Sequence, residues 1–227
     1  MTIAQLASHI DHTGLQPDTT ESGIETLCSE AHRHGFATVC VMPYFVRLAS
    51  RLLTEARSPV AVCTTIGFPN GAHMTTAKLA EAEQALADGA TELDMVLNLG
   101  ALKSGRTGVA EEDIRAVAAA AHSGEAIVKV ILETALLSDD EKRLACMIAE
   151  RAGADFVKTS TGFSRGGATV ADVRLMRQTC SPNVRVKASG GIRDHAAAMA
   201  MIEAGADRIG TSSGVAIISG AEGGEGY

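Results

Sequence analysis

Apolar runs of strand length alternate with helix-period segments along the whole chain. The runs predict strands at residues 9–13, 36–41, 60–67, 92–98, 127–133, 156–160, 185–188 and 208–211, eight in all. Between them, residues 20–34, 44–56, 75–87, 111–122, 138–152, 170–179 and 194–204 carry mainly Ala, Leu, Glu and Arg at helical spacing. Four helix-to-strand junctions repeat one device: His34-Gly35-Phe36, Asp88-Gly89-Ala90, Ala152-Gly153-Ala154 and Ala204-Gly205-Ala206. In each, a glycine one step past the helix can take the left-handed conformation that caps it, and the chain turns straight into the next strand. Strict alternation with short junctions implies a parallel sheet. Eight units favour closure, so the predicted fold is α/β, a single (β/α)8 TIM barrel. The barrel domain is expected over residues 1–220, with a flexible tail over 221–227 that ends on Tyr227.

The two-residue period of the strands tests this. In 92–98, Leu93, Met95 and Leu97 share one face, while Glu92, Asp94, Val96 and Asn98 share the other. In 127–133, Val128, Val130 and Leu132 oppose Lys129, Ile131 and Glu133. A barrel explains the pattern, because the apolar face packs on helices and the polar face points inward. The inward candidates are then Asp11, Asp94 and Glu133 against Lys129, Lys158 and Lys187. Three acids and three bases can neutralise one another, as buried charges require. A structural ion network is one reading of this set and a functional site the other.

Composition bounds the partners. The chain's 227 residues suffice for one barrel core. A net charge of −7 gives no general attraction to nucleic acid or acidic membranes, so neither is an expected partner. Any bound anion must meet a local positive site. The five cysteines are odd in number and lack CxxC spacing, so they read as buried thiols of a reducing compartment. Met1-Thr2-Ile3-Ala4-Gln5 lacks a basic region followed by an apolar core, so no signal peptide is expected, and no apolar run reaches transmembrane length. A cytoplasmic globular protein is expected.

Two runs carry the chemistry: Asp155-Phe156-Val157-Lys158-Thr159-Ser160-Thr161-Gly162 and Val184-Arg185-Val186-Lys187-Ala188-Ser189-Gly190-Gly191. Each is a strand that ends on a lysine and opens into a small-residue loop. Such lysines are costly unless a ligand or opposite charge meets them. A free lysine has a pKa of about 10.4, so very little of it is a neutral amine at pH 7. A second ammonium about 4 Å away, at an effective dielectric of about 20, costs roughly 4 kcal/mol. That corresponds to a drop of around three pKa units, enough to make an amine that attacks a carbonyl and forms a Schiff base. Lys187, one βα unit beyond Lys158, can supply that charge, and Asp94 can shuttle protons. Gly190-Gly191-Ile192-Arg193 follows strand seven, and Gly210-Thr211-Ser212-Ser213-Gly214 follows strand eight. In barrels these two loops commonly hold a phosphate on backbone N–H groups, and Ser212 and Ser213 add hydroxyl donors.

These residues resemble the deoxyribose-phosphate aldolase family over nearly the whole chain. The likeness runs through Ile10-Asp11-His12-Thr13, Val39-Cys40-Val41, Ile66-Gly67-Phe68-Pro69 and Glu92-Leu93-Asp94-Met95-Val96-Leu97-Asn98. It continues through Lys129-Val130-Ile131-Leu132-Glu133-Thr134, Phe156-Val157-Lys158-Thr159-Ser160-Thr161-Gly162-Phe163-Ser164, Val186-Lys187-Ala188-Ser189-Gly190-Gly191-Ile192-Arg193 and Gly210-Thr211-Ser212-Ser213. The resemblance implies a class I aldolase without metal or other cofactor. It would interconvert 2-deoxy-D-ribose 5-phosphate with acetaldehyde and D-glyceraldehyde 3-phosphate. It also implies Lys158 as the Schiff-base lysine, Lys187 as its activating neighbour and Asp94 as the proton-relay acid. Gly162, Gly190, Gly191, Gly210, Ser212 and Ser213 would hold the phosphate. Gly14, Gln16, Met42 and Asn70 depart from the family pattern, at positions that bear on the entrance lining and not on the reaction.

Further candidates for lining the site are Asp11, Cys40, Thr161 and Tyr227, the last because some relatives end in a tyrosine used near the substrate. His12 is either a core hydrogen-bonder or a lining group. No metal is expected: in the nearest cluster, Cys28, His32 and His34, the two histidines are two apart on a helix and face different ways. Two rival functions remain, a different Schiff-base lyase and a phosphosugar isomerase or epimerase. An isomerase needs no adjacent lysine pair. A homodimer and a homotetramer both remain open.

Overall fold

The computed structural model describes residues 1–221. In it the alternation along the chain becomes a closed ring of eight parallel strands, ordered around the barrel as they occur in sequence. The strands are β1 (Ile10–Gly14), β2 (Thr38–Val41), β3 (Ala61–Ile66), β4 (Glu92–Val96), β5 (Ile127–Ile131), β6 (Phe156–Lys158), β7 (Arg185–Ser189) and β8 (Arg208–Thr211). The outer layer is α1 (Ile3–Ala7), α2 (Glu21–His34), α3 (Val46–Glu55), α4 (Thr75–Ala87), α5 (Leu99–Lys103), α6 (Thr107–Ser123), α7 (Asp139–Arg151), α8 (Val170–Thr179), α9 (His195–Glu203) and α10 (Gly214–Ser219). The chain is thus a single (β/α)8 TIM barrel. Residues 222–227, and with them the candidate Tyr227, lie outside the described residues.

Local chemistry sets the element ends. Thr20, Ser138, Thr169 and Asp194 each cap a helix by accepting a backbone N–H, and Ser138 forms a reciprocal capping box with Glu141. At the four repeated junctions, Gly35, Gly89, Gly153 and Gly205 all have positive φ, between 67° and 109°, as a left-handed helix exit requires. Leu93, Met95, Leu97, Val128, Val130 and Leu132 are fully buried between strands and helices, which matches the outward face assigned to them.

Some bounds differ from the pattern-based ones, for local reasons. Helices α1, α5 and α10 are five or six residues long, too short to show a period. A 3-10 turn at Pro43–Phe45 precedes α3, where proline's fixed φ suits a helix start. β5 stops at Ile131, and Glu133 beyond it adopts φ 55° and ψ 61°. β6 stops at Lys158, after which Thr159 turns its hydroxyl to the Ser189 carbonyl. One buried lysine escaped the sequence reading. Lys78 of α4 donates to Asp113 of α6 at 2.5 Å and to the Val96 carbonyl at 2.8 Å. It braces the outer layer against the end of β4.

Candidate active site

Strand register decides which charges meet. Asp94 lies opposite Lys129, Lys158 opposite Lys187, and Lys187 opposite Arg208. All these side chains enter the barrel, and Asp94, Lys129 and Lys187 are completely buried while Lys158 is 2% exposed. Asp94 is the hub. Its Oδ1 accepts from Lys129 Nζ at 2.8 Å, and its Oδ2 accepts from both Lys158 Nζ and Lys187 Nζ at 2.7 Å. Lys187 also pairs with Asp11, whose other oxygen accepts from Arg208 at 2.6 Å. Glu92 accepts from Lys129 at 2.5 Å and from Arg208 at 3.2 Å.

Glu133 does not belong to this network, contrary to its expected place among the inward charges. Past the end of β5 its backbone turns left-handed, and its carboxylate accepts from Thr161 instead. Glu92 and Arg208 take part although neither was assigned there. Glu92 does share the polar face of β4 with Asp94, and that signal was available. Arg208 opens β8, and its inward direction depends on the closure of the ring.

The electrostatics follow from this crowding. Burial alone would raise the Asp94 carboxyl, but the ammoniums of Lys129, Lys158 and Lys187 hold it well below the usual carboxylate range. Asp11 is depressed in the same way, burial being outweighed by Lys187, Arg208 and Lys129. Burial pulls Lys187 down, yet Asp11 and Asp94 push it above the ordinary lysine value. Lys187 therefore stays an ammonium. The cluster contains three carboxylates (Asp11, Glu92, Asp94) and four bases (Lys129, Lys158, Lys187, Arg208). With every group ionised, one positive charge is in excess.

The loops expected to take a phosphate surround the same mouth. Gly162, Gly190 and Gly191 have φ of 85°, 89° and 78°, which favours glycine. A side chain on Gly190 would lie 3.1 Å from the Gly167 Cα, so these two loops are backbone against backbone. Gly210 is a strand residue of β8 and not part of a loop. A Cβ there would come within 3.0 Å of Lys187 Cε, so its absence makes room for that lysine. Ser212 is exposed, whereas Ser213 is buried with its N–H donating to Thr211 Oγ1 at 2.9 Å.

The remaining candidates separate. Asp11 sits inside the barrel and Thr161 at its mouth, tied to Glu133. Cys40 is buried beside Cys63 and Leu15, with Met42 and Phe68 packed on them, so this side of the mouth is apolar. His12 points the other way, its Nε2 2.7 Å from Glu30 and its ring against Phe36; it is a core hydrogen-bonder. Cys28 and His32 border a shallow surface depression, while His34 stacks on Phe36. Among the described residues two buried groups have metal-like spacing, Cys40–Cys63–Asp94 and Asp11–Cys63–Glu92. The Lys129 ammonium lies within 3.3 Å of Cys63, 2.8 Å of Asp94 and 2.5 Å of Glu92, so these donors already surround a cation.

Comparison with known proteins agrees with this architecture. Residues 5–220 match the model of the DeoC/LacD family aldolases. The chain is 60% identical to deoxyribose-phosphate aldolase 1 of Bacillus licheniformis over 98% of its own length and 99% of the relative's. It is 56% identical to the deoxyribose-phosphate aldolase of Thermococcus gammatolerans, over 97% and 98%. The tetrameric deoxyribose phosphate aldolase structure from Aeropyrum pernix superposes with a TM-score of 0.90 at 38% identity, covering 96% of this chain and 91% of that one. On the match of almost its whole length, and on its barrel, the chain belongs to the DeoC/LacD family of aldolases.

Proposed function

We propose that this protein is a class I aldolase that cleaves 2-deoxy-D-ribose 5-phosphate to acetaldehyde and D-glyceraldehyde 3-phosphate. The observation that carries the reading is the sharing of one Asp94 oxygen by Lys158 and Lys187. Lys158 alone among the interior lysines is bound only to that shared oxygen and is slightly open to the mouth.

The Lys158 amine attacks the C1 aldehyde, and loss of water from the carbinolamine gives an iminium. The iminium draws in the electron pair of the C2–C3 bond as that bond breaks. The C3 hydroxyl gives up its proton and becomes the aldehyde of glyceraldehyde 3-phosphate. The enamine left on Lys158 takes a proton at C2, and hydrolysis releases acetaldehyde and the amine. Asp94 is the relay: a proton leaving either lysine nitrogen meets an acceptor that the other nitrogen shares. Lys187, held as an ammonium by Asp11 and Asp94, supplies the repulsive charge. Gly162, Gly190, Gly191, Ser212 and Ser213 form the phosphate end, while Gly210, inside β8, leaves room for Lys187. An isomerase reading gains nothing from a paired-lysine centre.

The chemistry needs no metal, since the iminium is the electron sink. Protein kept in EDTA should therefore release acetaldehyde from deoxyribose 5-phosphate at the untreated rate. Absence of release under any condition would end the reading; release only after zinc addition would replace the iminium by a metal-bound enolate. The phosphate end is tested by Ser212→Asp, which puts a like charge in an exposed turn. KM for deoxyribose 5-phosphate should rise roughly 10-fold, the scale of a screened charge pair near 4 Å, and KM for unphosphorylated deoxyribose should barely move. An equal rise for both substrates would remove the turn from the phosphate site.

The five cysteines are buried and unbridged, which suits a reducing, cytoplasmic setting. Among the described residues no helix is long and apolar enough to cross a membrane. A homodimer or homotetramer is proposed on the likeness to the tetrameric Aeropyrum pernix structure.

A further inference from the structure

Three residues at the mouth are used by neither the charge cluster nor the phosphate loops: Phe68, Glu133 and Phe163. Glu133 holds a left-handed backbone, φ 55° and ψ 61°, which a long side chain keeps only where its surroundings enforce it. Among the described residues the other two non-glycine residues with positive φ, Arg57 and Glu125, are exposed just past helices, whereas Glu133 is buried at the end of the barrel. Its Oε2 accepts from the N–H of Thr161 at 3.3 Å and from the Thr161 hydroxyl. Thr161 Oγ1 in turn accepts from the N–H of Phe163 at 3.1 Å. The Phe163 ring meets Phe68 edge to face, with centroids 5.2 Å apart and planes at 81°.

Phe68 follows β3 and Phe163 follows β6, so β4 and β5, which carry Asp94 and Lys129, stand between them in the ring. Phe68 also packs on the interior residues Leu15, Cys40 and Cys63. The pair thus links the β3 and β6 ends across the rim, with Phe68 on the interior side and Phe163 38% exposed. In a ring of eight, β3 and β4 face β7 and β8, whose loops are assigned to the phosphate together with Gly162 after β6. The Phe163 ring thus reaches from beside that end across to Phe68. A five-carbon substrate anchored by its C5 phosphate and joined through C1 to Lys158 points its donor carbons, C1 and C2, away from those loops and toward this apolar side.

We propose that the Phe68–Phe163 pair, held in place by Glu133 through Thr161, is the wall that restricts the donor to a two-carbon aldehyde. The inference rests on the iminium reading above. Phe163 and Phe68 set specificity, and Glu133 is a positioning residue that touches no substrate. A third donor carbon has to displace a ring, and one methylene in such a pocket is worth about 10–200-fold in discrimination.

The test is the ratio of kcat/KM for propanal to that for acetaldehyde, each added to glyceraldehyde 3-phosphate. Phe163→Ala should raise the ratio at least about 10-fold, and Phe163→Leu, which restores part of the volume, should raise it less. Glu133→Gln should shift the ratio the same way, by less, and leave the pH midpoint of acetaldehyde trapping where it was. An unchanged ratio in Phe163→Ala, with acetaldehyde still trapped on Lys158 by borohydride, overturns the wall and leaves the iminium reading intact. A moved pH midpoint with an unchanged ratio in Glu133→Gln overturns the positioning role and makes Glu133 part of the charge system. Failure to trap acetaldehyde on the unaltered protein takes down the iminium reading and this inference together.

Discussion

Borohydride reduction in the presence of acetaldehyde is expected to place a single ethyl group on Lys158 and to abolish turnover. Four lysines of this chain are buried almost completely: Lys78, Lys129, Lys158 and Lys187. Lys78 lies outside the barrel with Asp113. Lys129 is enclosed by Asp94, Glu92 and, at 3.9 Å, Asp11. Lys187 is shared between Asp11 and Asp94. Only Lys158 combines one shared carboxylate partner with a position at the last residue of its strand, facing the mouth. A carbonyl entering from the loops therefore reaches Lys158 first. Lys158→Ala should lose activity by on the order of 10⁴-fold or more, the scale seen when a covalent nucleophile is removed from an otherwise intact site. Lys158→Arg keeps the charge but cannot form a stable imine, so it should be equally inactive. Peptide mapping decides the point, and an ethyl group on Lys129 or Lys187 would reassign the nucleophile.

Lys187→Met should leave Lys158 able to form the adduct but move the pH midpoint of adduct formation in the alkaline direction. Both nitrogens bond to one Asp94 oxygen at 2.7 Å, so they lie within twice that distance of each other. At that separation and an effective dielectric of about 20, their repulsion is worth about 3 kcal/mol. Its loss corresponds to about two pH units, or roughly a 100-fold fall in adduct formation at pH 7. Lys187→Arg preserves the charge, but the larger planar fork does not fit the space left by Gly210, so an intermediate loss is expected. If Lys187→Met loses activity with its pH midpoint unmoved, Lys187 acts by proton transfer or hydrogen bonding, and the electrostatic account fails.

The contrast among Asp94, Glu92 and Glu133 explains how far the site could be read in advance. Asp94 was recognisable because it sits in mid-strand on a face whose alternate residues are purely apolar. Glu92 shares that face, but nothing local marks it as paired. Alternation places Glu133 inward only if β5 runs two residues beyond Ile131, where it ends. A period of two describes only residues whose backbone stays extended, and Glu133 is left-handed. Phe68 and Phe163 sit 95 positions apart in the chain, and no local signal joins them.

The sequence by itself determined the eight βα units, the glycines that end four of the helices, the outward apolar faces and the lysine that ends β6. All of these follow from periodicity, capping chemistry and backbone sterics, which act over a few residues. Lys187, expected to end its strand, lies in the middle of β7 because the pairing with β8 continues to Ser189. Tertiary structure decided which charges share a partner. Lys158 and Lys187 meet on one oxygen of Asp94, a residue 64 and 93 positions away from them. Arg208 joins because β8 closes on β1 beside Asp11. Charge pairing inside a barrel depends on strand register around a closed ring, and that register is a property of the whole sheet, which no single segment encodes.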